Sequence, residues 1–255
     1  MKIRKYSIET KKPNIDLKIC LVSDLHSIKH KRALASVKSI DPDLIICPGD
    51  ILERLDGLGD HRNAPGFKFL SRASKIAPTF YSFGNHERFG SHMERASRPK
   101  GHPEVTEENY TKIIDTGVNL INDDYKEFKK GESKIIIGGL MPAFDRPQED
   151  PNLDFIAKFS KIEGFKILSC HQPEYYDSYL KDCDFDLMLS GHTHGGQWKL
   201  FGKGIYAPNQ GLFPKYSSGF YHNKLILSAG ASNSKWFIPR FFNPCEIIEI
   251  NIKSI

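Results

Sequence analysis

The chain has 255 residues, 39% of them hydrophobic and 26% charged, which excludes the composition of a disordered or a membrane-embedded protein. Its formal net charge is +5 with Lys and Arg dispersed along the chain, which suits anionic substrates and argues against a dedicated nucleic-acid binder. No Pro/Gly/Ser-rich linker divides it, so a single domain over residues 1–255 is expected.

The first eighteen residues lack the apolar core of a secretory signal, and no run reaches the roughly 18 apolar residues of a membrane span. Five cysteines, none in a CxxC pair and three inside apolar runs, fit a reducing, cytoplasmic setting. In chain order, Ile19–Val22 predicts a buried strand and His30–Ile40 a helix, with Ala33, Leu34, Val37 and Ile40 at helical spacing. Leu44–Cys47 and Thr79–Phe83 predict further strands, each followed by a long loop, Glu53–Gly66 and Arg88–Pro103. The second loop carries Arg88, Arg95, Arg98 and Lys100 and is a candidate grip on a distal anion, or simply a solvated basic loop. Helices are expected over Glu107–Thr116, Asp154–Phe159 and Pro173–Leu180, and strands over Ile135–Ile137, Lys166–Ser169, Leu187–Leu189 and Leu225–Ser228. Lys235–Phe242 is basic and aromatic, which fits core filling beside a Pro turn, peripheral contact with a membrane, or stacking on a base. Cys245–Ile252 alternates apolar and charged residues like a half-exposed strand. Strands alternate with helices early and cluster late, predicting an α/β fold of two packed sheets with helices outside.

Five apolar runs end in a small residue followed by Asp, Asn or His: KICLVSDLH, DLIICPGD, TFYSFGNHE, FKILSCH and DLMLSGHTHGGQ. Asp24 and His26, and again His192 and His194, are two apart, so in extended backbone each pair points to one side. With Asp50, Asn85 and His171 they make seven donors, too many for one tetrahedral zinc and suited to two ions about 3.5–4 Å apart sharing a carboxylate. Two divalent ions, two carboxylates and a hydroxide leave a positive centre, which favours a phosphate ester. The N/O donor set points to manganese, iron or zinc; Cys170 beside His171 is turned away by strand alternation. No GxSxG, HExxH, phosphate-binding Gly-rich loop or GxGxxG is present.

The ordered set Asp-x-His, Gly-Asn-His-Glu and Gly-His-Thr-His, with Gly-Asp and a lone His between, resembles the calcineurin-like metallophosphoesterase superfamily. The extended GHTHGGQ at Gly191–Gln197 is similar to a bacterial phosphodiesterase branch that includes UDP-diacylglucosamine pyrophosphatase-like enzymes. The resemblance runs from about Asp16 to Ile250, with Cys245 standing where a second Pro is usual. It implies a four-layer fold of two mixed β-sheets sandwiched between helices. It also implies that Asp24, His26 and His194 bind one metal, that Asn85, His171 and His192 bind the other, and that Asp50 bridges. His86 would protonate the leaving oxygen or bond the phosphate. The expected activity is a dinuclear metal-dependent phosphoesterase, a phosphodiesterase in which metal-bound hydroxide attacks phosphorus. The alternatives are a pyrophosphatase acting on a nucleotide-sugar lipid or other diphosphate, a nuclease, and a metal-stabilised interaction module without catalysis. The expected partner is a small-molecule phosphate ester, with no stable nucleic-acid binding.

Overall fold

The computed structural model describes residues 1–28, 30–53, 60–89, 107–143, 150–233 and 239–255. Among them are strands β1 (Lys2–Thr10), β2 (Asp16–Leu21), β3 (Leu44–Pro48), β4 (Thr79–Ser82), β5 (Asn119–Leu120), β6 (Asp124–Lys130), β7 (Ser133–Leu140) and β8 (Phe165–Cys170). They continue with β9 (Leu187–Ser190), β10 (Lys199–Leu200), β11 (Lys203–Gly204), β12 (Tyr206–Ala207), β13 (Gly211–Leu212), β14 (Gly219–Tyr221), β15 (Leu225–Leu227) and β16 (Glu246–Ser254). The helices are α1 (His30–Ile40), α2 (Asp60–Ala73), α3 (Asn85–Phe89), α4 (Glu107–Ile114) and α5 (Leu153–Ser160).

Two six-stranded mixed sheets form, in the orders β1-β16-β2-β3-β4-β5 and β14-β15-β9-β8-β7-β6. In each, four successive neighbours are parallel: β2, β3, β4 and β5 in the first, β7, β8, β9 and β15 in the second. Strand alternation explains the layers. Ile19, Leu21, Leu44, Ile46 and Phe80 of sheet one meet Ile135, Ile137, Ile167, Leu187 and Leu189 of sheet two in a shared apolar seam. The alternate residues Cys20, Ile45, Cys47 and Tyr81 face α1, α2 and α4, while Ile136, Leu168 and Met188 face α5 and a short π-turn at Tyr176–Leu180. Each fully buried aliphatic side chain contributes about 1.5–3 kcal/mol of transfer free energy, so the three layers dominate stability. The expected sandwich of two mixed sheets flanked by helices is the observed one.

Four expectations need correction. The second half of the expected loop Glu53–Gly66 belongs to α2, which carries Pro65 and Gly66 within it. A Cβ at Gly66 would sit 2.5 Å from Leu52 Cδ2 and 2.9 Å from the Ile51 carbonyl, so the glycine that reads as a turn signal allows the helix to lie on the loop after Asp50. The Cys245–Ile252 segment is not half-exposed: β1 covers it on one side, and Glu246 and Glu249 are buried in ion pairs with Arg4 and Lys5. The helix expected over Pro173–Leu180 is the π-turn. Residues 54–59 of the first loop and 90–103 of the second, with Arg95, Arg98 and Lys100, lie outside the described residues, as does Trp236. Phe241 and Phe242 are exposed, which corrects core filling at those two positions. No helix among the described residues is long and apolar enough to cross a membrane.

Candidate metal centre

Parallel strands put their carboxyl ends on one edge, and all seven predicted donors stand there. Asp24 and His26 follow β2, Asp50 follows β3, and Asn85 opens α3 directly after β4. His171 follows β8, and His192 and His194 follow β9 into a short 3₁₀ turn at His194–Gly196. All seven are buried, and His86 is half-buried.

The side chains converge. His26 Nε2 lies 3.1 Å from His194 Nε2, which is 3.7 Å from Asp24 Oδ1. Asn85 Oδ1 lies 3.1 Å from His171 Nε2 and 2.8 Å from His192 Nδ1. Between these groups sits Asp50, whose Oδ2 is 3.8 Å from His26 Nε2 and 3.2 Å from His171 Nε2. Asp24, His26 and His194 offer ligand atoms all within 4.8 Å of one another, as do Asp24, Asp50 and His171, and also His26, Glu53 and His86. Cys170 is buried in the outer layer of sheet two, away from the cluster.

Outer contacts fix the rings. His26 Nδ1 donates to Glu53 Oε2 at 2.9 Å, and His171 Nδ1 donates to the Pro48 carbonyl at 2.7 Å, which leaves each Nε2 turned inward. Glu53 Oε1 also meets His86 Nδ1 at 3.2 Å, so one carboxylate orients two imidazoles. Glu87 accepts from the amides of Asp50, Leu52 and Gly84 and from the Tyr81 hydroxyl, at 2.6–2.9 Å, and so ties the Asp50 loop to α3. Asn243 Nδ2 donates to the His194 carbonyl at 2.7 Å. Arg240 Nη2 stands 2.9 Å from His194 Nδ1. The sequence motif contains Glu87, and the family-like tail contains Arg240 and Asn243, but neither assigns them a contact. Glu53 follows Asp50 by three residues in a loop without periodicity, and no signal marks it.

Local backbone bears a cost here. Asp24, His26, Asp50, His192 and His194 have φ between 49° and 77°, the left-handed region, which costs a non-glycine residue on the order of 1 kcal/mol. A Cβ at Gly84 would lie 2.2 Å from Asp50 Oδ1, so this position is closed to any other residue while Asp50 keeps its place.

Burial lowers the affinity of His26 for a proton, but the hydrogen bond and charge of Glu53, with Asp50 and Asp24, outweigh it and push the ring up to about 9. Burial likewise opposes protonation of His171, and Asp50 overcomes it, to about 10. Burial, aided by the charge of His171, pushes His192 down to about 3; burial with His26 and Arg240 holds His194 well below the ordinary value. Burial alone would raise Asp50, yet His171, His86 and His26 hold it well below the usual carboxylate range. Glu53 is also held low against burial, by its bonds to His26 and His86. Without an ion, protons on His26 and His171 balance the buried carboxylates.

The donor set fits divalent cations. It combines carboxylate, amide oxygen and imidazole, and two rings have their outer nitrogens on acceptors. Asp24 Oδ2 is buried with no hydrogen-bond partner among the described residues, an acceptor left over that a cation would satisfy.

Residues 17–196 match the family model described as calcineurin-like phosphoesterase. The chain belongs to that family. Calcineurin-like phosphoesterases are metal-dependent, and the clusters above are where this one could hold metal. An uncharacterized metallophosphoesterase of Campylobacter jejuni is 28% identical over 97% of this chain and 62% of its own length. The UDP-2,3-diacylglucosamine pyrophosphatase LpxG of Chlamydia muridarum is 25% identical over 91% of this chain and 82% of its own. The phosphodiesterase YaeI of Escherichia coli is 27% identical over 72% of this chain and 62% of its own. The chain thus spans about six tenths of the length of the first and third of these calcineurin-like relatives.

Proposed function

We propose that the chain is a dinuclear metal-dependent phosphodiesterase. Asp24, His26 and His194 would hold one ion, Asn85, His171 and His192 the other, and Asp50 would serve both. The observation that carries this is the place of Asp50 Oδ2, within 3.8 Å of a nitrogen from one set and 3.2 Å of a nitrogen from the other. When bound, the ions would supply Lewis acidity, drawing charge from the phosphoryl oxygens and lowering the pKa of water to near neutral.

The chain's own residues do the rest. Water attacks phosphorus in line with the leaving oxygen, and His86 gives that oxygen its proton. Glu53 holds the His86 ring through Nδ1, as a carboxylate orients a general-acid imidazole, and so acts as a positioning residue. The backbone amide of His86 donates to Asp50 Oδ1 at 2.9 Å, so acid and bridging carboxylate move together. Loss of the acid in His86→Ala is expected to lower kcat by about 10²–10⁴ with little change in bound metal.

The deciding experiment loads metal-stripped protein with Mn²⁺, Fe²⁺ or Zn²⁺ in turn and assays monoesters, diesters and diphosphates. Hydrolysis of bis(p-nitrophenyl) phosphate, with metal lost in Asp50→Ala, is the expected result. Metal-replete protein inert to the diester, with unchanged metal in Asp50→Ala, would sink the proposal. A second reading, cleavage of a diphosphate in a nucleotide-sugar lipid, draws support from the likeness to LpxG. Faster turnover of a UDP-linked diphosphate than of any diester would favour it.

A further inference from the structure

Immediately beyond the 3₁₀ turn that carries His194, the chain forms two short hairpins, β10–β11 and β12–β13. Their large apolar side chains point outward. Phe201 is 96% exposed and Phe213 75%, with Leu200 and Leu212 also exposed. The segment before Asn243 adds Phe241 and Phe242, the latter 87% exposed. The three pieces are joined side by side. The Lys199 amide donates to the Phe241 carbonyl at 3.0 Å, and the Phe213 amide donates to the Ile205 carbonyl, between the hairpins, at 2.8 Å. Trp198 Nε1 closes the group on the Pro239 carbonyl at 2.9 Å. Single exposed apolar residues are ordinary, but a patch of phenylalanines on neighbouring turns marks a contact surface.

Charge identifies what covers it. From Leu187 to Cys245 the sequence has no Asp or Glu and six Lys or Arg; Lys203 stands exposed in the first hairpin itself, while Lys215 pairs with Asp177 at 2.7 Å and Arg240 turns inward onto the Ala229 and Ser232 carbonyls. Like charge works against pairing this surface with a second copy. Apolar side chains with an exposed Lys203 among them suit the headgroup boundary of an anionic bilayer, where the rings sink shallowly and the cation meets lipid phosphate. The hairpins are too short to cross a bilayer, so the contact is peripheral.

We propose that the β10–β13 hairpins and Phe241–Phe242 form a docking surface for anionic lipid bilayers, bordering the candidate metal centre. The border is direct: Asn209, between β12 and β13, places Nδ2 3.4 Å from His192 Nε2. The inference stands on the surface alone and does not require that the centre hydrolyse diesters.

The test is co-sedimentation of the purified chain with vesicles of phosphatidylcholine containing about a quarter phosphatidylglycerol, and with phosphatidylcholine alone. Wild type is expected to sediment with the anionic vesicles and to be released by high salt. The triple variant Phe201→Ser, Phe213→Ser, Phe242→Ser is expected to bind at least about tenfold more weakly, and Lys203→Glu several-fold more weakly. Neither should change hydrolysis of a soluble diester, since none of these side chains touches the centre. Wild type left in the supernatant with anionic vesicles, or a triple variant that sediments like wild type, overturns the proposal. A doubled mass by light scattering that the triple variant loses, without vesicle binding, would instead assign the patch to a second copy.

Discussion

The two sheets bring unlike chemistry to their common edge. Sheet one supplies Asp24, Asp50, the amide of Asn85 and the single ring of His26; sheet two supplies only rings, those of His171, His192 and His194. All the negative charge among the predicted donors therefore comes from one side of the seam, and most of the imidazole from the other. Among the predicted donors, sheet two alone offers no carboxylate to balance a cation. The apolar contact of Ile46 and Ile19 with Ile137, Ile167 and Leu189 is what sets donor against donor. In this fold the core between the sheets has a functional result as well as a stabilising one.

The contrast is open to measurement. Its strongest consequence is unequal loss. On the dinuclear proposal, Asp50→Asn removes a charge shared by both sets and should weaken binding of both ions by more than about a hundredfold, beyond the worth of an outer contact. His192→Ala removes one neutral ring and should release one ion of the two. Metal analysis by plasma mass spectrometry reads the difference; equal loss in both variants would break the contrast. Next in size is Glu53→Gln, which leaves every donor in place but removes the carboxylate behind His26 and His86. A drop of about 10–100-fold in metal affinity or kcat is expected, with an altered acidic limb in the pH profile of kcat. A variant with reduced stability but a wild-type profile would show that Glu53 acts only on folding.

The smallest effect is on pH. His26 keeps its proton to about 9 and His171 to about 10, both above the ordinary imidazole value, so each is protonated at pH 7 in the ion-free protein. An ion at Nε2 displaces that proton. Affinity at each position should therefore rise about tenfold per pH unit and level off only above those values. His192 and His194 are already neutral at pH 7 and release none. Calorimetric titration in buffers of different ionisation enthalpy should count about two protons released for two ions. None released would mean that His26 and His171 are not ligands.

Much of this was legible in the chain because it is local. A buried parallel strand is a short apolar run, and the residue after it lies on the functional edge, so Asp24, Asp50, Asn85, His171 and His192 could be read as one constellation. What escaped is what depends on distant partners. Glu246 and Glu249 read as solvent-facing because Arg4 and Lys5, which pair with them, lie at the other end of the sequence. Pro65 and Gly66 read as a loop because the neighbour that demands glycine, the Asp50 loop, is visible only in three dimensions. Glu53 could not be found because the residues it orients, His26 and His86, have no fixed spacing from it.

Strand β16 lies inside sheet one, between β1 and β2, although it is the last strand in the sequence. On the ribosome, β2 must therefore wait with one edge open until residues 246–254 emerge. Asp24 and His26, carried at the end of β2, have no settled support during that interval. Ala229, whose amide rests on Glu246, and Ala231, whose amide donates to the Ser23 carbonyl, join the same late event. The centre is thus finished only once β16 has emerged, and an early stop before β16 would leave an unpaired strand edge open to aggregation.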